Sequence, residues 1–195
     1  MSTDIVLCGV GGQGTVLASK LISGAAMSAG IAVKAAETIG MAQRGGSVMS
    51  NVRIGENTHS PLIGNGSADL LISFEPAEAV RRLPLLGKDG TVIVADRPVV
   101  PVSAMTGGPA YDLDAIMAYL RKRVSSDRLV VVDASAAERE TGSAKFLNVV
   151  LLGVAARTGA LGLSADALKD QIRDRVSERF VEADLKAFSY GFERA

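Results

Sequence analysis

The sequence of 195 residues predicts an α/β protein in which a mixed, mostly parallel sheet lies between two helical layers. Three observations predict it. A short apolar run, Ile5-Val6-Leu7-Cys8, ends in the cluster Gly9-Val10-Gly11-Gly12-Gln13-Gly14, after which apolar residues recur at helical spacing. As far as Asp133, apolar runs of strand length alternate with amphipathic stretches, as expected of parallel strands covered on both faces. From Ala144 onward the periodicity is helical only. Strand, glycine turn and helix in that order are Rossmann-like. The expectation is one domain over residues 1–195, with an α/β core over about 4–133 and a helical C-terminal part over about 144–195.

The elements follow in chain order. Asp4–Cys8 reads as a strand buried on both faces, and Thr15–Gly30 as a helix with Val16, Leu17, Leu21, Ile22, Ala25 and Ala26 on its apolar side. Ile31–Glu37 reads as a second strand, closing a βαβ unit with a right-handed crossover. Thr38–Gly46 breaks the pattern and is expected to be a loop or short helical turn. Ser47–Ile54 alternates as a strand does, Gly55–Thr58 is a turn, and His59–Ile63 is expected to return antiparallel as an inserted hairpin. Asp69–Phe74 is a strand, Pro76–Leu86 a helix with proline near its start and Gly87 after its end, and Thr91–Ala95 a strand. Asp112–Val124 is an amphipathic helix and Leu129–Asp133 the last strand. Three helices complete the chain: Ala144–Thr158, Ser164–Val176 with Ser164 as N-cap, and Glu178–Phe192. Pro98–Pro109 alone has linker-like composition, and it is too short to separate domains.

Composition narrows the chemistry. Hydrophobic residues make up 48% and charged residues 22%, globular values, with 21 basic residues against 21 acidic ones. Zero net charge and scattered aromatics give no footprint for nucleic acid. A single cysteine, Cys8, supplies neither the ligands of an iron–sulfur cluster nor an internal disulfide. The single histidine, His59, sits in a polar, turn-rich stretch suited to a solvent-facing loop rather than to a catalytic triad. The longest uncharged run, Ile5–Ser19, is short and broken by glycines, so no membrane span is expected, and no signal peptide is expected of the N-terminal residues. A cytoplasmic location is expected.

Two segments carry chemistry. Gly9, Gly11 and Gly14 fit G-x-G-x-x-G, the turn that lets backbone approach a phosphate at a helix N-terminus, and Glu37 lies where an acidic residue would meet ribose hydroxyls. The same glycines also serve close packing of strand on helix with no nucleotide bound. Gln43, Arg44, Gly45 and Gly46, with Gly40 before them, follow the second strand at the carboxyl edge of the sheet. There an arginine fork beside exposed N–H groups suits a carboxylate or phosphate. Arg53 and Glu75-Pro76 read as surface or helix-start residues and Cys8 as a small core residue. Leu147–Gly153 reads as a core helix in which Gly153 permits a close helix approach.

Taken together, Gly9–Gly14, Glu37, Gly40–Val48, Val52-Arg53, Ser60-Pro61, Ala68–Leu71 and Phe74–Ala79 resemble the gamma unit of 2-oxoacid:ferredoxin oxidoreductases, the indolepyruvate-specific members above all. The resemblance is strong from Ile5 to about Ala95. It continues more weakly through Asn148–Gly153 and Ala187–Gly191. It implies an oxidoreductase subunit supporting oxidative decarboxylation of an aryl pyruvate with coenzyme A as co-substrate and ferredoxin as electron acceptor. Thiamine diphosphate, magnesium and [4Fe–4S] clusters would lie on a larger alpha subunit, leaving this chain without a bound cofactor or a catalytic residue of its own. Gly9, Gly11, Gly12, Gln13, Gly14, Gln43, Arg44, Gly45 and Gly46 would then face that partner or the coenzyme A entrance. The alternatives are a nucleotide-binding Rossmann module without catalysis, an NAD-linked oxidoreductase acting alone, and an adenylating enzyme, whose glycine turn is similar.

Overall fold

A computed structural model of the chain describes residues 2–40, 45–56 and 59–194. Its strands are β1 (Thr3–Val10), β2 (Val33–Ile39), β3 (Ser47–Ile54), β4 (Ala68–Ser73), β5 (Leu86–Ala95) and β6 (Leu129–Val132). Its helices are α1 (Thr15–Ser28), α2 (Pro76–Arg82), α3 (Val102–Met105), α4 (Leu113–Arg123), α5 (Ala134–Thr141), α6 (Leu147–Thr158), α7 (Ala165–Arg175) and α8 (Glu178–Glu193). The strands form one sheet in the order β2-β3-β1-β4-β5-β6. Parallel ladders join β1 to β4, β4 to β5 and β5 to β6, while β3 runs antiparallel to both β1 and β2. The expected mixed, mostly parallel sheet is present.

Alternation along the central strands builds two cores. Ile5 and Leu7 of β1, Leu70 and Ile72 of β4, and Ile93 and Ala95 of β5 join a large cluster with residues of α1, α5, α6, α7 and α8. Val6 and Cys8, Ala68 and Leu71, and Val92 and Val94 turn to the other face, where α2 and α4 cover them through Ala79, Met117, Leu120 and Val124. Each of these strand residues is at most 1% exposed, which is why the strands read as continuous apolar runs. On the larger side α6 is buried from Leu147 to Ala155. It touches α8 so closely that a Cβ on Gly153 would fall 2.1 Å from the Phe188 carbonyl oxygen, and one on Gly191 2.0 Å from that of Val150. The expected close approach at Gly153 is present.

Four local expectations are corrected. The hairpin is formed by β2 and β3, joined through the Gly40–Gly46 segment, and not by a returning His59–Ile63 strand. β3 already pairs on both sides, with β1 and β2, so 59–63 has no edge of β3 to join and runs as coil. For the same reason β2 is separated from β1 by β3 rather than lying beside it as in a simple βαβ unit. Finally, the helix expected over Pro76–Leu86 ends at Arg82; a single 3-10 turn, Leu83–Leu85, follows, and β5 begins at Leu86. Asp133 is not a strand residue but the N-cap of α5, its Oδ1 accepting the Ala136 N–H at 2.7 Å.

Candidate functional site

The parallel strands β1, β4 and β5 end at the same edge of the sheet, and the glycine turn leads from β1 into α1 there. Gln13 folds back over it. Its Oε1 accepts the Val10 N–H at 2.8 Å, and its Nε2 donates to the Phe74 carbonyl at 2.9 Å. A Cβ on Gly9 would lie 2.6 Å from Gln13 Oε1 and 3.0 Å from Phe74 Cβ; glycine at position 9 therefore makes room for the chain's own glutamine. Other donors of the turn are also engaged: Gly11 N–H binds the Gly46 carbonyl at 2.9 Å and Gln13 N–H the Val10 carbonyl at 3.2 Å. Gly12, at φ 99°, has open space where a side chain would stand.

Two helix N-termini meet beside this turn. Gly14, at φ 81°, is the N-cap of α1 and offers no side chain to its first turn. The α6 residue Asn148 packs against it, with Nδ2 only 2.4 Å from where a Gly14 Cβ would be. Asn148 Oδ1 accepts the Val149 N–H at 2.9 Å. The buried Thr15 Oγ1 has no hydrogen-bond partner among the described residues. The partial positive charges of both N-termini and the amide of Asn148 thus converge at Gly14, an arrangement that favours a negatively charged or carbonyl-bearing group.

Next to the turn, a buried polar network ties α2 to the hairpin. Glu75 and Glu78 are each 1% exposed. Glu75 caps α2, its Oε2 accepting the Glu78 N–H at 2.8 Å, while its Oε1 accepts the Tyr111 hydroxyl and the Val99 N–H. Glu78 accepts Ser47 Oγ at 2.6 Å and pairs with Arg81, and Arg82 Nη2 donates to Ser47 Oγ at 3.0 Å. All of these but Arg82, with Val10 and Gly45, line a cleft of about 220 Å³. Burial, then the bond to Glu75, holds the Tyr111 phenol above its ordinary range. Deeper in, Cys8 Sγ donates to Ser73 Oγ at 3.3 Å, and burial pushes its thiol up to about 12.

Of the residues expected at the site, Gly9, Gly11, Gly12, Gln13, Gly14, Gly45 and Gly46 lie together at this edge; Gln43 and Arg44 fall outside the described residues. Gln13, whose polar atoms both bond within the chain, holds the turn's shape. Glu37 is two strands away from β1 and accepts Ser19 Oγ at 3.2 Å, which places it away from the position a ribose-binding acid occupies beside the first strand. Arg53 is not a free surface residue: opposite Asp4 in the β1–β3 register, it makes two 2.9 Å bonds to that carboxylate. Sequence reasoning missed Ser47, Glu78, Tyr111 and Asn148 as site residues. Glu75-x-x-Glu78 around a proline and a lone asparagine entering an apolar helix were the available signals.

Fold and site together define a Rossmann-like α/β module whose glycine turn is closed by its own side chain and faces outward at the sheet's carboxyl edge. Residues 4–194 match the family model for pyruvate ferredoxin/flavodoxin oxidoreductase. The indolepyruvate oxidoreductase subunit IorB of Archaeoglobus fulgidus is 40% identical over 196 aligned residues, covering 100% of this chain and 96% of that protein. The solved gamma subunit of a keto/oxoacid ferredoxin oxidoreductase from Geobacter sulfurreducens superposes with a TM-score of 0.73 at 24% identity, over 99% of this chain and 95% of that one. A 2-oxoglutarate:ferredoxin oxidoreductase from Magnetococcus marinus, solved with 2-oxoglutarate, coenzyme A and succinyl-CoA, matches with a TM-score of 0.69 at 21% identity, over 97% of this chain but 30% of that one. The chain belongs to the pyruvate ferredoxin/flavodoxin oxidoreductase family, as a small subunit of a multi-subunit oxidoreductase.

Proposed function

We propose that this chain is the subunit of an indolepyruvate:ferredoxin oxidoreductase that holds neither thiamine diphosphate nor clusters. The complex would convert an aryl pyruvate and coenzyme A to the aryl acyl-CoA and carbon dioxide, passing the released electrons to ferredoxin. Full-length identity to a protein named for indolepyruvate supports the substrate class. The observation that carries the subunit role is the convergence at one sheet edge of the glycine turn, Asn148 and the Ser47 end of the hairpin, where the first turn of α1 has no side-chain cap.

The chain's own residues do not fit the redox groups. Cys8 is a buried, protonated thiol, and among the described residues no three His, Cys, Asp or Glu side chains are placed to hold a metal ion. In this reading thiamine diphosphate with magnesium, supplying carbanion stabilisation, and [4Fe–4S] clusters lie on the larger alpha subunit. Gly9–Gly14, Gly45 and Gly46 face that subunit or the coenzyme A entrance, and Arg44, with Gln43 beside it, steadies a carboxylate or phosphate there. Asn148 adds a neutral donor to the same surface.

An isolated NAD-linked enzyme fits less well, because Glu37 lies on β2, two strands from β1, and not beside the first strand where a ribose-binding acid stands. The test uses the complex of this chain with its larger partner. Viologen or ferredoxin reduction should be faster with indolepyruvate or phenylpyruvate than with pyruvate or 2-oxoglutarate, and Arg44→Ala should weaken assembly or raise the coenzyme A requirement. Preference for a non-aryl acid refutes the substrate class; unchanged assembly and coenzyme A dependence refute the role of Arg44. Tight NADH or ATP binding by the isolated chain refutes the subunit reading.

A further inference from the structure

The two faces of the sheet are unequally covered. Five helices close the larger core, whereas among the described residues the other face carries α2, of 7 residues, and α4, of 11. Beside α2 and α4 runs the Val99–Tyr111 strap, tied down at both ends to the same oxygen, Glu75 Oε1. The strap exposes apolar side chains: Val102 is 72% and Met105 70% accessible. Such isolated exposed residues are ordinary; the contact surface is the adjoining apolar groove, lined by Pro101, Pro109 and Ala110 of the strap with Val80, Ile116 and Tyr119.

The groove is continuous. The cleft at Glu75 and Glu78 shares Ala77, Arg81, Pro101 and Tyr111 with a second, mainly apolar cleft of about 410 Å³ between the strap, α2 and α4. That cleft in turn shares Val80 and Tyr119 with a third, of about 510 Å³, which reaches the start of β5. At this far end the lining is basic. Lys88 and Arg123 have no ion pair among the described residues, nor have Arg121 and Lys122 on the same last turn of α4. Arg123 lies over the Tyr119 ring at 5.1 Å. The nearby carboxylates of Asp89 and Asp127 are both held by Arg128. A helix C-terminus by itself attracts basic residues, but Lys88 comes from β5 and extends the positive charge beyond α4.

We infer that this groove is the seat of an extended, acidic-ended segment of the larger partner subunit, lying along the strap with its apolar side chains on Val80 and Tyr119 and its acidic end at Lys88 and Arg123. The inference rests on the subunit reading above and names the face that the assembly uses. Charge complementarity selects the occupant: a second copy of this chain would bring the same basic end, and a helix would need a groove wide along its whole length. Because the groove opens at the Glu75 cleft beside the glycine turn, a segment lying in it also reaches the candidate site.

The test measures the affinity of the purified chain for the purified larger subunit. Arg123→Glu and Lys88→Glu should each weaken binding by about tenfold, mainly through slower association, and should flatten its salt dependence. Tyr119→Asp should weaken it at all salt concentrations. Arg173→Glu, on α7 across the sheet, should leave it within twofold. All four positions are exposed on the surface, and circular dichroism checks that the variants fold. A photoreactive p-benzoylphenylalanine at Tyr119 should cross-link to an extended, acidic-ended stretch of the larger subunit. Association that ignores these variants, or cross-links formed to a second copy of this chain, overturns the inference and leaves the subunit reading intact. If the wild-type chain and the larger subunit do not associate at all, both fall.

Discussion

Removing the side chain of Gln13 tests whether the glycine turn is held by the chain itself. Gln13→Ala deletes two hydrogen bonds, of 2.8 and 2.9 Å, whose partners are the amide of Val10, 8% exposed, and the carbonyl of Phe74, fully buried. A neutral hydrogen bond contributes about 1 kcal/mol net, and a buried partner left unpaired costs about as much again unless water reaches it. Opening the turn admits water to the Val10 side and leaves the Phe74 carbonyl unpaired, so the loss should come to about 3 kcal/mol. For a chain of this size that lowers Tm by roughly 6–12 °C in a calorimetric or circular dichroism melt. Gln13→Glu keeps the acceptor for Val10 but sets a carboxylate oxygen against the Phe74 carbonyl. It should fall at least as far near neutral pH and recover part of the loss in acid, when the carboxyl can donate. An alanine variant melting within about 1 °C of the wild type would refute the argument; the glutamine would then be an incidental contact and the turn free to take a ligand.

Three further outcomes follow from the packing. Gly153→Ala gains about 1 kcal/mol of helix propensity but drives a methyl into the Phe188 carbonyl. The chain should therefore be destabilised by about 1–3 kcal/mol in urea unfolding, where propensity alone predicts a gain. Asp184 on α8 is 6% exposed, and burial raises its carboxyl to about 6 from 3.8. Its neutral form is favoured in the folded state, so the associated stability is present at low pH and lost as pH rises through about 6. Asp184→Asn should accordingly raise Tm above pH 6, by a margin that shrinks as the pH falls toward 4, in melts across pH. Cys8, with its thiol at about 12, should resist iodoacetamide in the native chain and react only as the chain unfolds, followed by mass spectrometry against denaturant.

Much of the fold was legible because buried parallel strands and helices announce themselves locally. Ile5–Cys8, Leu70–Ile72 and Val92–Ala95 are apolar at every position, since both faces of each strand are covered. Strand order was not legible. Ser47–Ile54 has the same pattern whether it pairs with β2, with β1 or with both, and only the finished sheet shows that it takes both partners and excludes 59–63. The same holds for the site. The glycines stood out because spacing and φ constrain them over six residues, whereas Ser47, Glu78 and Tyr111 meet only through tertiary packing. Gln13 was visible, but its inward turn was not, because that depends on the Phe74 carbonyl just past β4.

The interior position of β3 also governs how this protein can meet others. With β3 saturated on both sides, the sheet ends in β2, which carries Lys34 and Glu37, and in β6, only four residues long. Charged or very short terminal strands make poor templates for an incoming strand. Assembly by adding a foreign strand to the ladder, and runaway stacking of copies by the same route, are therefore both disfavoured. A chain built this way joins a larger enzyme through side-chain surfaces, where the match of shape and charge selects the partner.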